Sequence, residues 1–352
     1  MKRTLILTGL AALALLAGCS KTQTGASVAT PAEDDAWVYD ETLPVPVTFS
    51  APGLDMSMTK ADVSGTIEGS VMSGLDIGVF GLAINVDSQS PAWDTADPAT
   101  ILISNRKVTT GEDGSAKLDP AVYYPTDNDL NYSFYAYYPH RSCSVSDNRY
   151  TVEYTLGYTD VLWAVDHAGI AGQYRGFNAA YCRQMKLVGR NDLLPALDFR
   201  HLLTAFRFVA KASADLDNIV IRNVTVKNVN TKAVLEVAGP DAGTLTYSTP
   251  DDLYLLKTPG DYTTGTLNVA PTVAGAELGT LILGEVEDTL EVEVVLSLDN
   301  GTRNTVTASY TGSFSAGHRY TMTLTVRSPE EVELSTSLDP WVDVPGGSGT
   351  IG

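Results

Sequence analysis

The sequence holds little of what enzyme chemistry is usually built from. There are four histidines (His140, His167, His201, His318) and three cysteines (Cys19, Cys143, Cys182). None of the histidines stands in an H-E-x-x-H arrangement or pairs with a cysteine at zinc spacing. No G-x-S-x-G elbow and no P-loop occurs. So few cysteines exclude a fold that depends on a disulfide framework. Basic residues are scarce as well: 23 Lys and Arg stand against 42 Asp and Glu, a formal net charge of −19. That balance excludes nucleic acid as a partner, because phosphate binding needs a basic face. It also argues against docking on anionic lipid heads through the protein surface. Solubility is the simplest role for the acidity. Long runs at helical period are missing too, and prolines interrupt often. The expected fold class is therefore all-β, with no catalytic site, no cofactor and no metal implied.

What is present begins with a positive start, Lys2 and Arg3, and an apolar run from Leu5 to Leu16 broken only by Thr8 and Gly9. The run is too short and too early for a membrane span and reads as a secretory signal, residues 1–18. Leu16-Ala17-Gly18-Cys19 resembles the bacterial lipobox, with cleavage between Gly18 and Cys19 and acyl chains on Cys19. Acyl chains on one residue give lasting attachment, since each buried methylene adds about 0.8 kcal/mol. The expected location is the outer membrane or cell surface. Residues 19–42 carry Ser, Thr, Ala and acids with little to bury, and read as a flexible tether.

The remaining length suggests two domains. Strand signals weaken between Ala164 and Leu194, which places a first domain at 43–190 and a second at 194–328, with a tail at 329–352. Alternation is clearest at Leu290, Val292, Val294, Leu296 and Leu298, and again at Tyr320, Met322, Leu324 and Val326. Asn300-Gly301 between strands predicts a type I′ hairpin. Apolar parity shifts near Ala205 and near Arg222–Asn223, where bulges would keep one face buried.

Single residues take structural readings first. His201 lies on the buried parity of its strand and reads as a satisfied core group. Trp163 and Trp341 read as packing anchors. Asp127, Asn128 and Asp129 could touch calcium, but Leu130 stands where the loop glycine should come. The tyrosines from Tyr123 to Tyr138 could form a sugar platform, or a central strand packed on both faces. Cys143 and Cys182 could bridge in an exported protein, or be two separately buried thiols.

Several stretches together resemble the fimbrillins of Bacteroidales, the subunits of type V pili. They are Val47-Thr48-Phe49, Thr59-Lys60-Ala61, Ile77-Gly78-Val79-Phe80, and Tyr123-Tyr124-Pro125 with Tyr132 to Pro139. Asp160 to Ala164, Leu197 to Phe206 and Phe314 to Tyr320 follow in order. The resemblance implies two tandem transthyretin-like β-sandwich domains, export as a lipoprotein, and a place in or on a surface fibre. It implies assembly by strand donation with other fimbrial subunits, after a protease removes the N-terminal segment. Val45 to Ser50 is then the removed strand and Val332 to Val344 the donor. No arginine lies between Cys19 and Arg106, so Lys60 is the candidate cleavage point. A retained lipid would instead suit an anchor or a tip subunit that touches a host or bacterial surface ligand. Asp94-Thr95-Ala96 and Asp288-Thr289-Leu290 resemble the O-glycosylation acceptor of this bacterial group.

Overall fold

Alternating apolar residues produce strands along nearly the whole chain. The computed structural model describes residues 43–49, 74–87, 90–112, 115–170, 173–213, 216, 218–255, 267–286 and 288–339. In chain order the strands are β1 (Asp76–Asn85), β2 (Ser90–Pro91), β3 (Ile101–Thr109), β4 (Asn131–Tyr138), β5 (Ser144–Ser146), β6 (Arg149–Thr155), β7 (Leu162–Asp166), β8 (Gly169–Ile170) and β9 (Gln173–Tyr174). After helix α1 (Ala179–Leu187) come β10 (Arg200–His201), β11 (Thr204–Ala212), β12 (Ile219–Ala238), β13 (Thr244–Tyr254), β14 (Ala276–Leu283), β15 (Thr289–Leu298), β16 (Arg303–Thr311), β17 (Arg319–Ser328) and β18 (Glu331–Asp339).

The protein is an all-β sandwich fold. One sheet runs β10-β7-β4-β1-β2, with β3 also on β1; a second runs β14-β11-β17-β18; a third runs β16-β15-β12-β6-β5, with β13 also on β12. Two hydrophobic cores form between them. The first gathers residues from Val45 to Leu203 together with Ala233, Leu235, Val237, Ala238 and Ile282. The second gathers residues from Phe206 to Leu334. The cores change over between Leu203 and Phe206, and β12 belongs to both.

β12 is twenty residues long because its apolar pattern is renewed by irregularities rather than kept by strict alternation. Its register shifts against β15 between Ile221 and Asn223, where the parity change called for a bulge. It shifts again against β13 between Val226 and Val229, and against β6 between Glu236 and Ala238. One edge of β12 carries β13. The other carries β15 along its first half and β6 along its second. Ile221, Val224 and Val226 fill the second core, and Ala233, Leu235 and Val237 fill the first.

Three expectations are corrected here. No bulge lies at Ala205: the parity change is absorbed by a break between β10 and β11, where the chain leaves β7 and enters between β14 and β17. β11 does shift register, but between Phe208 and Val209. At Asn300-Gly301 only Gly301 has positive φ (82°), so the hairpin is not type I′. Leu298 N–H donates to Thr302 C=O across a three-residue loop, and Gly301 supplies the left-handed residue that such loops need. Finally, the stretch read as a tail from Pro329 is not free of the sheet. Val332 and Leu334 are buried, and β18 pairs antiparallel with β17 along its length.

The weak strand signal between Ala164 and Leu194 has a structural cause. It holds α1, whose N-cap Asn178 accepts from Tyr181 N–H at 2.8 Å.

Candidate functional site

Among the described residues, the segment 43–49 is laid on the first core by a few backbone bonds. Val47 N–H donates to Val122 C=O at 2.8 Å, and Tyr124 N–H donates to Val45 C=O at 3.0 Å. Pro46 makes a single antiparallel bridge with Tyr123. Arg183 on α1 donates to Leu43 C=O at 2.8 Å. The side chains do the rest: Val45 and Val47 are buried, and Phe49 meets Phe134 edge-on with ring centroids 5.2 Å apart. Proline at 44 and 46 leaves this strip without donors at alternate positions, which limits its ladder. Without it, Val122 C=O and Tyr124 N–H would lose these partners and Phe134 would lose the Phe49 ring.

Gly18, Cys19, Lys60 and Trp341 lie outside the described residues. Cys143 and Cys182 are both free thiols, so the bridge weighed between them is not made. They sit in different surroundings: Cys143 half-buried close to Asn105, Cys182 buried on α1 beside Tyr124. Burial pushes the Cys182 thiol up to about 11, against a lowering by its contact with Tyr124.

The Asp127–Asp129 loop serves the helix. Asn128 Oδ1 accepts from Ala180 N–H at 2.9 Å, in the first turn of α1. Asn128 adopts φ of 58°, which asparagine tolerates better than most residues. Sequence reasoning missed α1, yet Asn178 before Ala179-Ala180 is the N-cap signal that could have found it. Among the described residues no group of three or more His, Cys, Asp or Glu is placed to hold a metal ion.

The tyrosine cluster is a packed strand. β4 is flanked by β1 and β7 and buried on both faces, with Tyr132, Phe134, Tyr135 and Tyr137 all inside. Tyr123 alone projects, half exposed. Trp163 is an anchor, its Nε1–H donating to Val237 C=O at 2.9 Å. His201 is buried, with Nδ1 2.5 Å from the carboxylate of Asp160. Of the other histidines, His167 Nδ1 lies 2.8 Å from Ser133 Oγ, and His318 Nδ1 donates to Ala316 C=O at 2.9 Å. Thr95 and Thr289 are both exposed.

These features define an all-β sandwich protein in which residues 43–49 pack on the first core and Tyr132, Phe134, Tyr135 and Tyr137 of β4 are buried. The fimbrillin-like family model matches residues 59–341, and the chain belongs to that family. A relative from Bacteroides uniformis, named "Putative fimbrium subunit Fim1C", is 26% identical over 290 residues, which cover 77% of this chain and 86% of the relative. A crystal structure of a "putative cell adhesion protein" from Bacteroides uniformis shares the fold at TM-score 0.50 and 20% identity, over 85% of this chain and 98% of that one. A second, from Bacteroides ovatus, has TM-score 0.49 and 15% identity, over 86% and 99%.

Proposed function

We propose that the chain is a non-enzymatic structural subunit of a cell-surface fimbrium, exported as a lipoprotein through Cys19 and assembled by strand exchange with other subunits. Membership of the fimbrillin-like family supports the fimbrial role. The observation that carries the assembly step is the 43–49 strip. Val45 and Val47 are buried, and among the described residues the strip is held to 122–124 by two backbone bonds around one bridge. Cleavage near Lys60 would release it and leave a groove that an extended segment of another subunit can enter. Backbone bonds would then supply affinity and alternate side chains would fill the pockets.

The donor is the C-terminal stretch Val332–Val344. In the free subunit most of it is β18, paired with β17. Donation therefore means unzipping that hairpin, or passing on only the residues beyond Asp339. The division into domains at 43–190 and 194–328, bridged by β12, belongs to the same proposal. If Lys60 is not cleaved, the lipid on Cys19 stays and the subunit is an anchor or tip component.

The N-terminal residue of protein isolated from the cell surface decides between these. A start at Ala61 supports a polymerised subunit, and a lipid-blocked Cys19 supports a retained anchor. Protein trimmed after Lys60 should form ladders on gels that resist heating. If it stays strictly monomeric, assembly by this route is wrong.

A further inference from the structure

The strip at 43–49 is gripped by side chains at both of its ends. Phe49 meets Phe134 at one end, and at the other Leu43 C=O accepts from the Arg183 guanidinium at 2.8 Å. Between them Pro44 and Pro46 offer no N–H to a ladder. Arg183 stands in the middle of α1, 140 positions along the chain from Leu43. Its donor is charged, and a hydrogen bond of that kind holds more firmly than one between neutral groups.

α1 also backs the residues on which the strip rests. Cys182 touches Tyr124, whose N–H holds Val45 C=O at 3.0 Å. Tyr181 meets Phe177 edge-on at 5.9 Å, Phe177 meets Phe134 at 5.6 Å, and Phe134 meets Phe49 at 5.2 Å. Contacts therefore run from this one helix to both ends of the strip.

The helix itself is held lightly. Nine residues are too few for a helix to persist in water alone, and only Ala179 and Cys182 of it are buried. Its first turn depends on two asparagines. Asn178 Oδ1 accepts from Tyr181 N–H, and Asn128 Oδ1 accepts from Ala180 N–H at 2.9 Å. Asn178 is steadied in turn by its Nδ2, which donates to Asn131 Oδ1 at 2.7 Å. From Lys186 to Leu193 every residue is exposed. An element placed like this can open while both cores stay folded.

We propose that α1 is a latch that keeps the 43–49 strip seated, with Arg183 as the residue that closes it. This rests on the reading of the strip as the segment removed in assembly, and adds how that removal is regulated. A cut near Lys60 frees the end that follows Phe49. The strip then peels from Phe49 towards Leu43, and the Arg183 bond is the last to part. Cutting is thereby separated from release. The cut subunit stays closed until α1 gives way or an incoming segment displaces the strip.

The test is hydrogen exchange on the uncut mature chain, read by mass spectrometry. It needs neither cleavage nor a second subunit, so the latch can fail while strand exchange holds, and the reverse. Peptides spanning 43–49 and 120–126 report the Val47 and Tyr124 amides. Arg183→Ala should speed their exchange about tenfold, the worth of a hydrogen bond to a charged donor. Arg183→Lys, which keeps a charged donor, should recover most of the protection. Asn128→Gly suits the positive φ of 58° but removes the carbonyl that holds Ala180 N–H. It should speed the same peptides although Arg183 is still in place. Peptides of β15, in the second core, should be unchanged in all three variants. Strip exchange that stays within about twofold of the parent in both Arg183→Ala and Asn128→Gly overturns the proposal. So does equal acceleration in β15, which would mean that the whole fold was weakened.

Discussion

Asp160 and His201 are joined side chain to side chain inside the first core, with Oδ2 and Nδ1 2.5 Å apart and both residues buried. The other carboxylate oxygen of Asp160 accepts from Val161 N–H at 2.8 Å, and Leu202 N–H donates to Val161 C=O. The pair therefore ties the entry of β7 to β10, at the point where the chain is about to leave one sheet for another. His201→Ala would strand the carboxylate. It should cost about 3 kcal/mol, the usual size for breaking a buried pair, as a lower urea midpoint with unchanged m-value. An effect under about 0.5 kcal/mol would mean that the pair does not hold this junction.

His167 makes the fold sensitive to acid. Burial lowers its pKa from about 6.5 to about 4. Between those values the unfolded chain binds a proton that the folded chain does not, so stability rises with pH through this window. The contribution is complete above 6.5 and amounts to about 3 kcal/mol. Urea unfolding at several pH values should show that slope. His167→Gln, which keeps a side-chain amide near Ser133, should flatten it.

The two thiols should react in order. Cys143 is half-buried, while Cys182 is buried with its pKa pushed up to about 11. Iodoacetamide on native protein lacking residues 1–19 should modify Cys143 first and leave Cys182 until denaturant is added. Mass spectrometry of the peptides reads the order. Loss of two protons relative to the reduced protein would show a bridge instead.

The shared strand should couple the two cores. Leu296 packs in the second core on β15, and Trp93 and Trp163 lie in the first. Leu296→Ala should cost about 2–5 kcal/mol. The loss should appear in the tryptophan fluorescence transition of the first core, because β12 cannot leave one core and stay ordered in the other. A first-core transition that does not move would show two independent folding units.

Periodicity made the faces of the strands legible but not their partners. Leu290, Val292, Val294 and Leu296 are buried as their alternation requires, and the parity shift at Arg222–Asn223 marks a real bulge. The same kind of shift near Ala205 marks a change of sheet instead, because a parity break looks alike whether the chain bulges or crosses over. The Arg149–Glu236 contact joins β6 to β12 across 87 positions. Alternation within one strand carries no information about a neighbour that distant. The strip at 43–49 was legible only through its likeness to the fimbrillins. The Trp163 anchor to Val237 C=O was not legible at all, since it forms only once β7 and β12 lie against each other.

β12 changes what a linker between two such cores would normally do. No slack connection has to be drawn taut before force passes from one core to the other. Traction that parts them must strip β12 from β15 or from β6 while β13 still grips its far edge. Strain between the two cores would pass along this single strand.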